Sequence, residues 1–509
     1  MENGPCLPDI TAIIRLKFKM PSNETRKPNL WEQAQMLGRI VSKLISEAFT
    51  APILHQPEDI EMGGVSPHSS APRSSRTSTS SKPPWVDRRN FEAIEAIEDG
   101  AFVKLLLQHL DPDNKLDPND CDVVERAHGT YNYCAILSVA NDDARYVIKV
   151  PAIGTAAVWQ AGDAYNLRNE VYTMKYISCN TNVPIPKIYG WDDSLDNAIG
   201  APYTLMHAVL GMPAHYLWDD KNDLHNPSMK VDTARRNFLK NLANTMAELR
   251  HLAFDKIGAL HFTQDPEEQD AIPPTVSHYF SANSDGTLSQ IDAHSSSEEY
   301  FQAKKDAFGE ALTKDKPDGT LEDFEYGIQA FYDFVFQAYP FTPQDRAEPE
   351  TFVLAHNDLD LQNIYVDSAG HIVGIIDWDN TRTVPRCIGY AALPLFLRKD
   401  WEDPGYDFEE HLPTWTLDEY RGFYDECMCD ATAFADGKFT RKSKFYAAAA
   451  MAMEGCNEDW SDFLQRMFKE IAPLREIDMM QFLTRLGRDG GWPDAERMLK
   501  REIGALFNP

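Results

Sequence analysis

The sequence predicts an α+β fold, strand-rich over residues 89–206 and mainly helical over residues 207–509, behind an extension at residues 1–88. Three observations predict it. Short β-branched runs separated by turn residues crowd the first globular stretch, where Cys134 to Val139 and Tyr146 to Val150 alternate or run apolar. Apolar stripes at helical spacing dominate the second, as in Leu239, Leu242, Ala243, Met246 and Leu249. Within that second stretch, a strand, a polar loop and a hairpin follow one another from Phe352 to Asn380.

Taken in order, the extension holds Leu37, Ile40, Val41, Leu44, Ile45 and Ala48 at helical spacing, which predicts an amphipathic helix over Trp31 to Phe49. Residues 64–85 are Ser/Pro-rich low-complexity sequence and read as a flexible linker, so the extension is expected to be partly disordered. Phe102 to Leu110 reads as a helix buried on several sides, and 111–122 as turns. Val123-Val124 and Cys134 to Val139 read as strands. The passage between them, which contains Gly129 and Asn132, reads either as an ordinary hairpin turn or as a turn that covers a phosphate. Tyr146 to Pro151 is a strand carrying one lysine, Lys149, and Tyr165 to Ile177 is a helix carrying Glu170. Pro184 and Pro186 force an extended path up to Gly190, because each proline fixes its own φ and biases the residue before it. Tyr203 to Met206 is the last strand of this region. Beyond it, residues 262 to 298 are rich in Pro, Ser and Asp and read as a surface insertion. Helices follow over Ser297 to Leu312 and Leu321 to Ala338, and the tail from Trp460 to Phe507 is helical with a break at Gly490-Gly491-Trp492-Pro493.

The chemistry is concentrated in Thr351 to Asn380. Phe352 to Ala355 reads as a buried strand, His356 to Asn363 as a polar loop, and Ile364 to Val366 with Ile372 to Ile376 as a hairpin turning near Gly370. Asn363 and Asp377 lie at equal separations from Gly370, so antiparallel pairing brings their side chains to one end, where the loop carrying Asp358 also finishes. Oxygen ligands of this kind suit magnesium, which takes one or two protein groups along with waters and phosphates. Asn363 and Asp377 are then the metal ligands, and Asp358 is free to orient a hydroxyl and accept its proton. An EF-hand starting at Asp358 would need Gly at its sixth position and Glu at its twelfth, but these are Asn363 and Ala369. A zinc site would need closely spaced His or Cys partners for His356, which instead is read as bracing the loop.

Composition bounds the partners. The chain has 509 residues, 43% hydrophobic and 25% charged, as in an ordinary soluble protein with core enough for two or three domains. A formal charge of −30 argues against nucleic acid or an anionic membrane as partner and suits a cationic small molecule. Eight cysteines without a C-x-x-C pair read as reduced thiols, so a cytoplasmic location is expected. No apolar run approaches the roughly 18 residues of a membrane span, and no secretory signal core is evident at the N-terminus.

The spacing H-x-D-x-x-x-x-N, from His356 through Asp358 to Asn363, followed by Ile376-Asp377-Trp378-Asp379, resembles the Brenner-type motif of the aminoglycoside phosphotransferase and choline kinase family. That motif is usually written H-G-D-x-x-x-x-N with a later I-D-W-[DE]. Val147-Ile148-Lys149 is similar to the V-A-I-K of kinases, and Val183 to Gly190 to the family's V-P-x-P-x-V-x-G. The resemblance implies a two-lobed protein-kinase-like fold with a small β-rich N-lobe and a larger helical C-lobe. It implies transfer of the γ-phosphoryl group of Mg-ATP to a hydroxyl of a small molecule. Asp358 would be the base, and Asn363 and Asp377 the magnesium ligands. Lys149 would bind phosphates with Glu170 as its partner, Gly129 and Asn132 would lie in the covering turn, and backbone groups of Met206 and Ala208 would meet adenine. Three departures stand out: Asn357 for the usual Gly, Asp360 for a frequent His, and Thr381 to Tyr390 where the family runs toward Gly-Asp-Pro. The acidic stretch 400–436 reads as a solvated loop or as a receiver of amino groups. A catalytically silent scaffold of the same fold is the competing reading. A protein kinase is disfavoured because no A-P-E segment follows Asp377.

Overall fold

The structure, a computed structural model, describes residues 86–113, 115–140, 142–219, 228–313, 320–340, 349–402, 411–454 and 459–509. The helix and linker expected before residue 86, and Asp403, Asp407, Glu409 and Glu410 of the acidic stretch, lie outside these residues.

Two helices, α1 (Phe91–Glu95) and α2 (Asp99–Leu110), lead into a five-stranded antiparallel sheet. Its strands are β1 (Cys121–His128), β2 (Asn132–Val139), β3 (Arg145–Pro151), β4 (Ile188–Asp192) and β5 (Tyr203–His207), in the order β1-β2-β3-β5-β4. Alternation dictates the packing. Tyr133, Ala135, Leu137 and Val139 of β2 are buried, while the residues between them are partly exposed. With Phe102, Leu105 and Leu106 of α2 they form one apolar core. Helix α3 (Ala161–Asn180) crosses between β3 and β4. Its inner residues Val171, Met174 and Ile177 share a cluster with Leu354, Ile364 and Trp378 from far along the chain, so the helix is packed on the larger lobe as well.

The larger lobe begins with β6 (Met212–Pro213), α4 (His215–Trp218) and α5 (Met229–Ala247). The short strands β7 (Ala253–Phe254), β8 (Ala259–His261), β9 (Thr275–Ser277), β10 (Tyr279–Ala282) and β11 (Leu288–Ile291) precede helices α6 (Ser297–Thr313) and α7 (Asp323–Ala338). Next come β12 (Phe352–Ala355), β13 (Ile364–Val366), β14 (Ile372–Ile375) and β15 (Arg382–Val384). Six helices close the chain: α8 (Lys399–Glu402), α9 (Thr414–Thr432), α10 (Ser443–Glu454), α11 (Asp459–Ile471), α12 (Met479–Leu486) and α13 (Pro493–Phe507). Residues of α6, α7 and α10 to α13 bury a second large apolar cluster, which includes Phe301, Tyr332 and Phe463. No helix of the described residues is long and apolar enough to cross a membrane. The architecture is the two-lobed kinase-like one, a small antiparallel-sheet lobe followed by a mainly helical lobe.

Two expectations are corrected. The passage 262–298 is more than a surface insertion: β9 pairs with β8, and β10 pairs with β11 as a hairpin. Its Pro- and Ser-rich composition hid short strands whose apolar residues, Val276, Phe280 and Leu288, are too few to show a period. The hairpin near Gly370 is also asymmetric. Ile364 faces Ile375, with a register shift between Tyr365 and Val366, so Asn363 lies opposite Ile376 rather than Asp377.

Candidate active site

Lys149 on β3 is the centre of the site. Its ammonium lies 3.0 Å from Glu170 Oε1 on α3 and 3.0 Å from Asp377 Oδ1, and it also contacts Asp379. Three elements distant in sequence thus meet on one buried cation. Burial alone would push the lysine down, but the Asp379, Glu170 and Asp377 carboxylates hold its pKa well above the ordinary value. Burial and the Asp379 charge push Glu170 up, and the same causes raise Asp377. Burial would also raise Asp379, but Lys149 outweighs it and keeps that carboxyl far below the usual range.

The loop between β12 and β13 is held by its own side chains. His356 is buried, with Nε2 3.0 Å from the Ile376 carbonyl and Nδ1 accepting the Asp358 N–H at 3.2 Å. That pair of bonds requires a neutral ring with its proton on Nε2. Trp378, fully buried, donates its indole N–H to the Ile375 carbonyl at 2.9 Å and packs its ring edge-on to His356 at 4.6 Å. Asn363 donates from Nδ2 to both the backbone carbonyl and Oδ2 of Asp358, each at 2.9 Å. This orients the Asp358 carboxylate and leaves Asn363 Oδ1 with no hydrogen-bond partner among the described residues. Burial raises Asp358 above the usual carboxylate value, in the direction a proton acceptor needs.

The departures from the motif have local explanations. Asn357 donates to the Asn380 carbonyl at 2.6 Å, tying the loop to the segment after Asp379. Asp360 is buried, accepts the Leu361 N–H at 2.8 Å and pairs with Lys399 of α8 at 3.4 Å. Thr383 accepts the Gly258 N–H at 2.9 Å and donates to the Lys256 carbonyl at 2.8 Å, stitching β15 to the segment just before β8. Asp377 and Asn380 have φ of +64° and +58°, left-handed values that Asp and Asn tolerate better than most residues.

The covering turn also reaches the site. Asn132 donates from Nδ2 to Asp379 Oδ2 at 3.1 Å, and Gly129 closes the turn through its N–H to the Asn132 carbonyl at 2.9 Å. A Cβ at Gly129 would meet nothing within 4 Å, so the tip is open. Asp358, Asn363, Asp377, Lys149, Glu170 and Asn132 are therefore linked by direct contacts or by adjacent backbone.

Met206 and Ala208 are the exception. Met206 lies in the ladder opposite Val147, and the Ala208 N–H is already bonded to the Arg145 carbonyl at 2.8 Å. The Ala208 N–H therefore faces back into the sheet, whereas Val209, the next residue, has an N–H with no bonded partner among the described residues. Sequence reasoning also missed Asp379 and Lys399. The first stood inside the quoted motif. The second carried no local signal, because its partner Asp360 lies far away in sequence.

The description "phosphotransferase enzyme family" belongs to the family model that matches residues 128–408, more than half of the chain. The chain belongs to the phosphotransferase enzyme family. The match runs from the end of β1 to just beyond α8, so every side chain of the Lys149 cluster and the catalytic loop falls inside the family region. Among curated relatives of this phosphotransferase-family chain is altered inheritance of mitochondria protein 9, mitochondrial, of Yarrowia lipolytica. It is 26% identical over 135 residues, which cover 26% of this chain and 22% of that protein. The chain thus spans about a fifth of the length of that relative. Among solved structures, choline kinase from Cryptosporidium parvum aligns at 10% identity and a TM-score of 0.40, covering 80% of this chain and 97% of that one. Aminoglycoside phosphotransferase APH(4)-Ia aligns at 11% identity and a TM-score of 0.39, covering 77% and 99%.

The His356 ring sets a pH dependence. Burial lowers its pKa to about 4, whereas an unfolded histidine titrates at about 6.5. Between those values only the unfolded chain binds the proton, so this residue's contribution is complete above about pH 6.5 and is lost as pH falls toward 4. The stability difference between wild type and His356→Gln should narrow by roughly 2 kcal/mol from pH 7.5 to pH 5. Urea unfolding at both values checks it, and a constant difference would mean that the native ring carries charge.

Proposed function

We propose that this chain transfers the γ-phosphoryl group of Mg-ATP to a hydroxyl of a small molecule. The observation that carries the reading is the meeting of Lys149, Glu170 and Asp377 on one buried ammonium, beside a loop in which Asn363 holds Asp358. Lys149, braced by Glu170, binds phosphate oxygens, and the turn of Gly129 and Asn132 covers them. Asp358 orients the acceptor hydroxyl and takes its proton.

The donor set fits magnesium. Asn363 Oδ1 has no described hydrogen-bond partner, and three carboxylates gather around one lysine. Asn363 and Asp377 would hold the ion, whose positive charge would offset that of the phosphates. The acceptor is proposed to be cationic, on the chain's −30 charge, and the compartment to be the cytoplasm, on the six free cysteines among the described residues.

Isothermal titration with ATP, with and without magnesium, tests the reading. Magnesium-dependent binding at micromolar to millimolar concentration is expected. A silent scaffold is the second reading, favoured by Asp379, which contacts both Lys149 and Asn132 where phosphates would sit. Absence of binding under both conditions would select it.

A further inference from the structure

The β10–β11 hairpin lies between two elements that shape the site. Successive residues of β10 point to opposite faces. On one face, Phe280 and Leu288 pack on α3 at Gly162, where an added Cβ would lie 2.8 Å from each. Tyr165 of α3 stacks on His278 at 4.8 Å and meets Phe280 edge-on at 5.6 Å, and its hydroxyl donates to the His278 carbonyl at 3.2 Å. On the other face, Tyr279 carries the Arg382 guanidinium 3.5 Å above its ring, and Arg382 begins β15, three residues after Asp379.

Asn166 closes the first contact. Its Nδ2 donates to the Phe280 carbonyl at 2.9 Å, and its Oδ1 accepts the Phe280 N–H at 3.2 Å. The carboxamide thus takes the place of a neighbouring strand along the free edge of β10. Asn166 lies one helical turn before Glu170 on α3, so whatever fixes Asn166 fixes the axial position of the glutamate. Lys175, further along the same helix, is held by Asp265 at 2.6 Å and Glu267 at 2.9 Å, from the loop that leads into β9.

We infer that the segment from Asp265 to Ile291 is a strap from the large lobe that holds α3 in the position where Glu170 meets Lys149, with Asn166 as its principal positioning residue. In protein kinases the corresponding ion pair is made and broken by movement of its helix. Here a segment covalently continuous with the large lobe grips that helix at three places, so the pair is built in. The inference rests on the phosphotransferase reading for its effect on nucleotide binding, although the contacts themselves do not.

The test is a double-mutant cycle on Mg-ATP affinity, measured by titration, with hydrogen exchange of residues 161–170 recorded alongside. Asn166→Ala should weaken Mg-ATP binding about fivefold, a modest coupling, and should speed exchange in this stretch. In the Glu170→Ala background it should have no further effect on affinity, because the route through Glu170 is already lost. The strap is overturned if Asn166→Ala binds as wild type does, or if the same fivefold loss appears on top of Glu170→Ala. If wild type binds no Mg-ATP, the phosphotransferase reading fails by itself. Exchange then decides the strap: unchanged protection in Asn166→Ala overturns it, and faster exchange supports it.

Discussion

Asp358→Asn is expected to lower kcat at least ~10²-fold, the usual contribution of a general base, while Mg-ATP affinity is kept. The substitution preserves shape and hydrogen-bonding capacity but removes the proton acceptor. The Asn363 carboxamide can still donate to the backbone carbonyl of residue 358, so the loop keeps one of its two bonds. Affinity should hold because Lys149, Glu170 and Asp377 do not contact the Asp358 side chain, and Asn363, which does, stays anchored on the backbone carbonyl of residue 358. Steady-state kinetics with an accepted alcohol, beside a binding titration, separates the two effects. Unchanged turnover would remove Asp358 from the chemistry.

Lys149→Ala is expected to have the largest effect on stability. The lysine is the only cation in contact with Glu170, Asp377 and Asp379 among the described ion pairs, and its removal leaves three carboxylates facing one another. Removing one partner of a buried ion pair typically costs about 3 kcal/mol or more. The loss should shrink at low pH. Burial and mutual repulsion raise Glu170 and Asp377 above their ordinary values even with the lysine present. Groups whose folded pKa is raised bind protons on folding, so the variant gains stability as pH falls and loses it as pH rises. Urea midpoints of wild type and variant at pH 5 and pH 8 measure this. Equal midpoints at pH 8 would show that the three carboxylates do not depend on the lysine.

What the sequence made legible follows from how local each signal is. The strand–loop–hairpin from Phe352 to Ile376 was readable because alternation, turn residues and spacing all lie within a short stretch. Lys149 and Glu170 were readable through their order along the chain and the resemblance it carried. Which N–H faces outward at the end of β5 is not legible in the sequence, because a ladder's parity needs the partner strand, here Arg145 opposite Ala208. The role of 275–291 stayed hidden for a similar reason. Phe280 and Leu288 are unremarkable until Gly162 and Asn166 of another element are placed against them. Asn357 and Asp360 looked like damage to a motif. Each makes a contact far away in sequence, to Asn380 and Lys399.

Arg88 binds Asp163 through its two terminal guanidinium nitrogens, the two side chains are almost wholly buried, and the same carboxylate accepts the Gln160 N–H at the start of α3. Two residues earlier, the Val86 N–H reaches the Ser284 carbonyl at 3.0 Å. Among the described residues this buried charge pair stands ahead of α1, which starts at Phe91. A chain trimmed to α1 would keep every described helix and strand yet leave an aspartate unpaired in the interior, so tolerance of that truncation is governed by desolvation rather than by secondary structure.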